Sequence, residues 1–394
     1  MPNRLYGIGE PVTHRVLRGD FTSEEAVGIM HDLGVTSFRE WMSLSGRSCF
    51  ISETETDEEV CAAFDVTFAL CQRYDIEVTG IGGYYVPASL GITDGGIPVR
   101  DLTPGSPYRQ MLEATEKSWK TMAVRFPYVK QWETGNEWNG AFLRPAGYKR
   151  GDAGFDLKTA MTIACDLMYY SARGIRAGNP EAKVVSFSPV CDGGGRYLPA
   201  GVPSGFGIAV ALDEVYRVIE SGESFSTCTD DYFDMVAWHP YMSTQMNYAP
   251  VKTDYPAKDM YLTEDMPDAL WKSINDMAYH VMAKHGDGHK QVLLTEFGFS
   301  DAYNDEREAF QASIIPKCFE LLKQMPYIKS CHFFRLFEEE TDRVVPAAFL
   351  KDGSMEEYKR IFNSEAKFGI VREKKNGFAY RRKAIELQKV YKER

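Results

Sequence analysis

Hydrophobic and polar positions follow two rhythms along this chain. Short β-branched or aromatic runs bounded by Gly, Asn or Pro alternate with longer stretches whose apolar residues recur every three to four positions. The first rhythm predicts strands at 4–9, 35–39, 76–81, 129–134, 183–187, 233–238, 291–295 and 328–337. The second predicts helices at 22–33, 57–74, 108–125, 157–177, 208–221, 267–284, 306–324 and 378–391. Thr22-Ser23-Glu24-Glu25 has the form of a capping box at a helix start, and Gly34 and Gly178-Asn179-Pro180 are stop signals.

Strict alternation of strand and helix implies βα units and a parallel sheet. The predicted fold class is α/β: a (β/α)8 TIM barrel formed by one catalytic domain over residues 1–394, with extended βα loops. A doubly wound open sheet satisfies the same alternation, because the pattern does not encode closure. Nucleotide-binding signatures are missing: no GxGxxG follows the first strand, and no GxxxxGK[ST] occurs anywhere. Loops rich in Gly and Pro span 87–107 and surround Gly193-Gly194-Gly195 and Pro199, and a long Tyr-rich insertion runs from 242 to 263.

Composition narrows the partners. Hydrophobic residues make up 44% of the 394, enough for a large core. The net charge of −11 argues against nucleic acid or an anionic membrane surface as partner and leaves a neutral ligand open. Aromatic residues reach 13%, which serves a packed core and also allows rings to stack on sugar faces. The eight cysteines form no CxxC pair and no zinc spacing, and several lie in apolar patterns, as buried thiols do. With no apolar segment at the N-terminus, these features lead us to expect a reducing, cytoplasmic location. His280 and His285 are five apart, a poor helical ligand spacing, and the remaining histidines form no cluster with them, so no metal and no cofactor is expected. There is no G-x-S-x-G elbow for a serine hydrolase. The oligomeric state is not legible.

In a barrel the site lies where strands end and βα loops begin. Arg39 ends the second predicted strand, Asn136 and Glu137 follow the fourth, His239 and Tyr241 the sixth, and Glu296 the seventh. Two carboxylates facing one cleft are what glycosidic cleavage needs: one carries a proton to the leaving oxygen, and the other stays ionised and attacks the anomeric carbon. Taken alone, Glu137 reads equally as a surface loop carboxylate. Glu296 is harder to dismiss, because it follows the apolar run Val292-Leu293-Leu294-Thr295, where an unpaired charge is costly. Arg39 reads either as the partner of Glu40 or as a guanidinium that keeps a nearby carboxylate ionised. His239 and Tyr241 also fit an ordinary strand end.

Gly135-Asn136-Glu137, with Thr295-Glu296-Phe297-Gly298, resembles glycoside hydrolase clan A, the retaining (β/α)8-barrel glycosidases, nearest to families 5 and 39. The tail, Phe368-Gly369-Ile370-Val371 and Asn376-Gly377-Phe378-Ala379-Tyr380, resembles the clan's ending before its final helix. The resemblance implies that Glu137 is the acid/base and Glu296 the nucleophile. It further implies that Asn136 binds the sugar 2-hydroxyl, Arg39 supports the nucleophile, and His239 and Tyr241 match the strand-six pair, the Tyr contacting the nucleophile. The chain departs from the pattern in two places. It has Gly82-Gly83-Tyr84-Tyr85 where family 5 has a His, and no Trp ends its eighth strand, which leaves Arg335 or Phe337 for that position. Trp138, Tyr84, Tyr85, Tyr248 and Tyr255 are candidate subsite walls.

The expectation is therefore a retaining hydrolase of a β-linked glycoside. A catalytically silent carbohydrate-binding barrel, a transglycosylase on the same site and a metal-dependent barrel hydrolase are its rivals.

Overall fold

The computed structural model describes residues 5–44, 47–92, 96–140, 143, 156–191, 207–241, 266–299, 305–338, 368–374 and 377–393. Gly193 to Gly195, Pro199 and the Tyr-rich insertion with Tyr248 and Tyr255 lie outside the described residues.

Eight strands form one parallel sheet: β1 (Leu5–Gly9), β2 (Ser37–Trp41), β3 (Glu77–Ile81), β4 (Gln131–Glu133), β5 (Lys183–Val185), β6 (Val236–Trp238), β7 (Val292–Phe297) and β8 (Ile328–Phe334). Their order is β6-β7-β8-β1-β2-β3-β4-β5, so β1 pairs with β8 and the sheet curls on itself. Parallel bridges Val185↔Met235 and Val190↔His239 then join the β5 and β6 edges. Met235 N donates to Val184 O and Ser186 N to Met235 O across that seam. These bonds close the barrel and exclude the doubly wound alternative.

The helices α1 (Val12–Arg18), α2 (Ser23–Leu33), α3 (Glu58–Arg73), α4 (Pro107–Arg125), α5 (Leu157–Gly178), α6 (Gly207–Ser221), α7 (Met266–Lys284), α8 (Asp305–Leu322) and α9 (Arg382–Lys392) follow in chain order. Most of the core lies between the outer faces of the strands and these helices, as the T-shaped pair of Trp132 on β4 and Trp119 on α4 shows. A smaller apolar cluster of Val185, Met235, Ala237 and Leu293 fills one side of the barrel. Local chemistry sets the helix ends: Thr22 and Glu25 make the expected capping box, Asp57, Ser106 and Asp156 cap three further helices, and Gly34 ends α2 at φ 86. None of the helices among the described residues is long and apolar enough to cross a membrane.

Beyond shifts of a few residues at strand ends, the elements depart from the pattern in four ways. The segment expected to open the last helix, Phe378 to Tyr380, is instead a strand, β10 (Gly377–Tyr380), antiparallel to β9 (Val371–Lys374). Its aromatic residues pair across the hairpin and onto Phe337 rather than forming a helix face. The eighth strand stops at Phe334, where the Phe334–Arg335 peptide is cis, so Arg335 and Phe337 lie beyond it. Helix α1 was not expected; it follows β1 after Glu10 and Pro11, the latter an ordinary residue at a helix start. Two short hairpins, Ser43–Leu44 with Arg47–Ser48 and Phe50–Ser52 with Glu55–Thr56, occupy the loop after β2.

Candidate active site

Period-two alternation places Ser37, Arg39 and Trp41 on the inner face of β2, and Phe38 and Glu40 on the outer face. Glu40 duly turns away, accepting from Thr13 N and Thr13 Oγ1, each at 2.9 Å, so it is not the partner of Arg39. The Arg39 guanidinium is fully buried. Its Nε and Nη2 donate to Glu133 at 2.5 and 2.9 Å, its Nη1 to Glu296 Oε1 at 2.7 Å, and its Nη2 also to Asn136 Oδ1 at 2.9 Å. The Trp41 ring lies over the same guanidinium, 4.2 Å from its centre.

Glu296 reaches this cluster through an irregularity in β7. Leu294 pairs with Cys331 but Phe297 with Phe333, so the β7–β8 ladder carries an extra residue there. Such a bulge turns two consecutive side chains to one side. Thr295 and Glu296 both meet interior partners as a result. Glu296 Oε2 accepts from the Tyr241 hydroxyl at 2.7 Å.

Glu137 lies just past β4, anchored by its N–H to Ser188 O at 2.8 Å. It adopts φ 48, a left-handed conformation uncommon for a residue with a Cβ. Gly135 is required beside it, since a Cβ there would meet the Trp138 indole at 2.2 Å. Glu137 Oε1 lies 2.8 Å from His239 Nδ1, and Glu296 Oε2 lies 3.7 Å from the same nitrogen. Donor atoms of Glu137, His239 and Glu296 all lie within 4.8 Å of one another. Burial pushes His239 down to about 3, so its ring is neutral at ordinary pH.

A cation could in principle use that trio. However, both Glu296 oxygens already accept hydrogen bonds, and the Arg39 charge adjoins them. In a second such group, Asp230, Asp287 and His289, the two carboxylates are already engaged by the Lys290 ammonium, at 2.9 Å from Asp230 and 3.2 Å from Asp287.

The structure thus brings together Arg39, Asn136, Glu137, His239, Tyr241 and Glu296. It does not bring in three other expected residues. Trp138 is 2% exposed, sealed under Gly135 and stacked on Phe187, so it presents no face to a ligand. Phe337 is fully buried against Phe21 and Arg15. Arg335 forms a bidentate pair with Glu10 at 2.8 and 3.0 Å. The half-buried ring at the end of β8 is Phe334, 6.2 Å from Trp41 and 5.6 Å from Phe368, whose ring meets Tyr241 at 5.8 Å. Tyr84 and Tyr85 line a small cavity beside β3 with Phe50, Trp119 and Met122.

Sequence reasoning missed Glu133, Thr295 as a site residue, Ser188, Trp41 and Phe334. Two of these carried a signal. Trp41 falls two positions after Arg39, and Glu133 sits in an apolar strand whose neighbours face the helices. Glu133 is fully buried and accepts from Arg39, from Ser188 Oγ and from Thr295 Oγ1 at 3.3 Å. Burial pushes its carboxyl up to about 7, against the pull of Arg39.

No protein-family model matches the sequence, and no curated protein matches it. Solved structures do resemble the fold. The chain is similar to a family 1 β-glucosidase from Thermotoga maritima at 14% identity, covering 100% of this chain and 98% of that one, with a TM-score of 0.59. The β-glycosidase BGL167 gives 13% identity over 99% of this chain and 96% of its own, with a TM-score of 0.59. A β-D-glucuronidase from Dictyoglomus thermophilum gives 13% identity over 100% of this chain and 51% of its own, with a TM-score of 0.52. At these identities the likeness is one of fold.

Proposed function

We propose that this barrel hydrolyses a β-linked glycoside by double displacement, with retention at the anomeric carbon. The observation that carries the reading is the approach of two carboxylates, one oxygen of Glu137 lying within 4.8 Å of one of Glu296. Retaining pairs stand roughly 5–5.5 Å apart and inverting pairs about 6.5–9.5 Å, the latter leaving room for water between them.

The environments assign the roles. Glu296 accepts from Arg39 and Tyr241, two donors that fix its carboxylate in place, and serves as the nucleophile. Its attack forms a glycosyl ester while the leaving oxygen takes the proton of Glu137. Glu137 has the more exposed side chain of the two, 19% against 7%, so water can reach it for the second step. There it removes a proton from water, which displaces Glu296 from the sugar and restores both groups. Asn136, held by Arg39, is assigned to the sugar's 2-hydroxyl, and the half-buried rings of Trp41 and Phe334 are assigned to the sugar's apolar face. The same reading takes a carbohydrate as the partner. Eight free thiols, seven of them buried, support a reducing, cytoplasmic compartment.

The test uses a panel of nitrophenyl β-glycosides. Glu296→Gln removes the nucleophile, and turnover is expected to fall by about 10⁴-fold or more. Glu137→Ala is expected to keep activity on dinitrophenyl glycosides and to regain rate with azide, releasing a β-glycosyl azide. Near-normal hydrolysis by Glu296→Gln overturns the reading.

A further inference from the structure

A general acid must carry its proton before substrate arrives, and the hydrogen bonds beneath Glu137 have a direction that bears on this. Resting on the hydrolase reading above, we propose that Glu133 is the positioning residue that keeps the proton on Glu137, acting through the hydroxyls of Ser188 and Thr295 and the ring of His239.

The direction follows from counting protons. Four donors converge on the Glu133 carboxylate: Arg39 Nε and Nη2, Ser188 Oγ and Thr295 Oγ1. Above about 7 Glu133 is ionised, and an ionised carboxylate only accepts. Ser188 and Thr295 also lie 2.9 Å from each other. The contact of Ser188 Oγ with Glu133 is the shortest of these and takes the Ser188 proton, so the Ser188–Thr295 contact is a hydrogen bond only if Thr295 donates to Ser188, which turns its proton away from His239. His239 Nε2 lies 3.1 Å from Thr295 Oγ1. With the hydroxyl proton directed elsewhere, Thr295 oxygen is the acceptor and Nε2 carries the hydrogen. A neutral imidazole holds one ring proton, so Nδ1 is bare. Nδ1 then faces Glu137 Oε1 at 2.8 Å with a lone pair, and a hydrogen bond forms only if Glu137 supplies the proton.

Glu296 competes poorly for that nitrogen, at 3.7 Å and with its oxygens held by Arg39 and Tyr241. The other titratable group facing the cluster, His332 on β8, is also neutral; burial pushes it down to about 3, and Ser37 Oγ lies 2.9 Å from its Nε2. Among the described residues, the charges around the relay are thus those of Arg39, Glu133 and Glu296. During turnover the proton leaves Glu137 for the leaving oxygen and returns to it from water. His239 keeps its Nε2 proton throughout, and the bare Nδ1 favours reprotonation of Glu137.

The tautomer of His239 is observable without any substrate. With the full chain labelled with ¹⁵N-histidine and held above the Glu133 value of about 7, the parent is expected to show a protonated Nε2 and a bare Nδ1. Thr295→Val removes the acceptor for Nε2–H at nearly constant volume. It is expected to move the hydrogen to Nδ1, which then donates to ionised Glu137. The alkaline limb of the kcat/KM profile should fall by about one pH unit, a tenfold change in the proton equilibrium. Glu133→Gln is expected to shift both readouts the same way, and Glu133→Asp to restore the parent tautomer.

A merely structural Glu133 would lower the rate and leave both limbs in place. A parent His239 protonated on Nδ1 overturns the proposal. So does a Thr295→Val variant that keeps the parent tautomer and limb, or a folded Glu133→Gln variant that keeps them while Thr295→Val does not. Failure of the hydrolase reading shows separately, as a parent chain that turns over no glycoside while its His239 signals still report the relay.

Discussion

Buried histidines tie the stability of this molecule to pH one ring at a time. His14 illustrates the sign. Burial pushes it down to about 4, its Nε2 has no partner, and its ring meets Phe64 edge-on at 5.6 Å. In the unfolded chain the same ring takes a proton near 6.5. Its contribution to stability is therefore fully present above 6.5 and is lost as pH falls toward about 4. By pH 5 the parent is expected to lose on the order of 2 kcal/mol through this residue. His14→Phe keeps the ring contact and cannot titrate. Its stability relative to the parent, from urea unfolding, is expected to improve by that amount between pH 7 and pH 5; a constant difference refutes the assignment. The same scale explains what was legible in the site. Arg39, Glu137, His239 and Glu296 stand at strand ends, where a charged or polar residue after an apolar run is conspicuous. A charge inside the apolar β4 run marks Glu133, but its role was not legible, because its partners come from β2, β7 and the segment after β5, which only folding assembles. Trp138 and Phe337 were misread because the sequence does not say which way a ring faces. A nearby Gly135 and a nearby Phe21 decide that, and both rings are buried.

At the scale of elements, two helical glycines make opposite predictions. Gly28 in α2 has open space where a Cβ would go. Gly28→Ala gains helix propensity with nothing to oppose it and is expected to stabilise by about 0.5–1 kcal/mol. Gly174 in α5 is different, because its Cβ would lie 2.2 Å from the Glu116 backbone oxygen and 2.8 Å from Trp119 Cβ on α4. The same propensity gain of about 1 kcal/mol is outweighed there by overpacking, which costs about 1–3 kcal/mol, and by a contact with backbone that cannot rotate away. Gly174→Ala is expected to be destabilising by about 1–2 kcal/mol net. Paired thermal or urea unfolding curves check both, and a stabilising Gly174→Ala would show that α4 and α5 can separate cheaply. The sequence located both helices through their periodic apolar faces and capping residues. It could not show that two of them touch at a glycine, nor that Phe378 to Tyr380 pairs with Val371 to Glu373, because a strand that short has the same composition as a helix start.

At the scale of the whole molecule, closure of the sheet converts scattered strand ends into one site. Residues 39, 133, 137, 239 and 296 come from four separate stretches of the chain, and the β5–β6 seam brings those of β6 and β7 within reach of those at β4. Closure also sets that site in an acidic body, with a net charge of −11. A neutral sugar does not feel this field, whereas an anionic one does. At about 10 mM salt the screening length is roughly 30 Å, enough for the whole molecule to repel a uronide; at 150 mM it is about 8 Å, and only neighbouring charges remain. Hence KM for a nitrophenyl glucuronide is expected to fall severalfold as salt rises from 10 to 150 mM, while KM for the matching glucoside stays within about twofold. Initial rates at both salt concentrations measure this directly. The opposite trend, a uronide bound more tightly at low salt, would mean that local groups at the barrel mouth outweigh the overall charge; Arg335 and Arg15 are not such groups, because both are buried in pairs with Glu10.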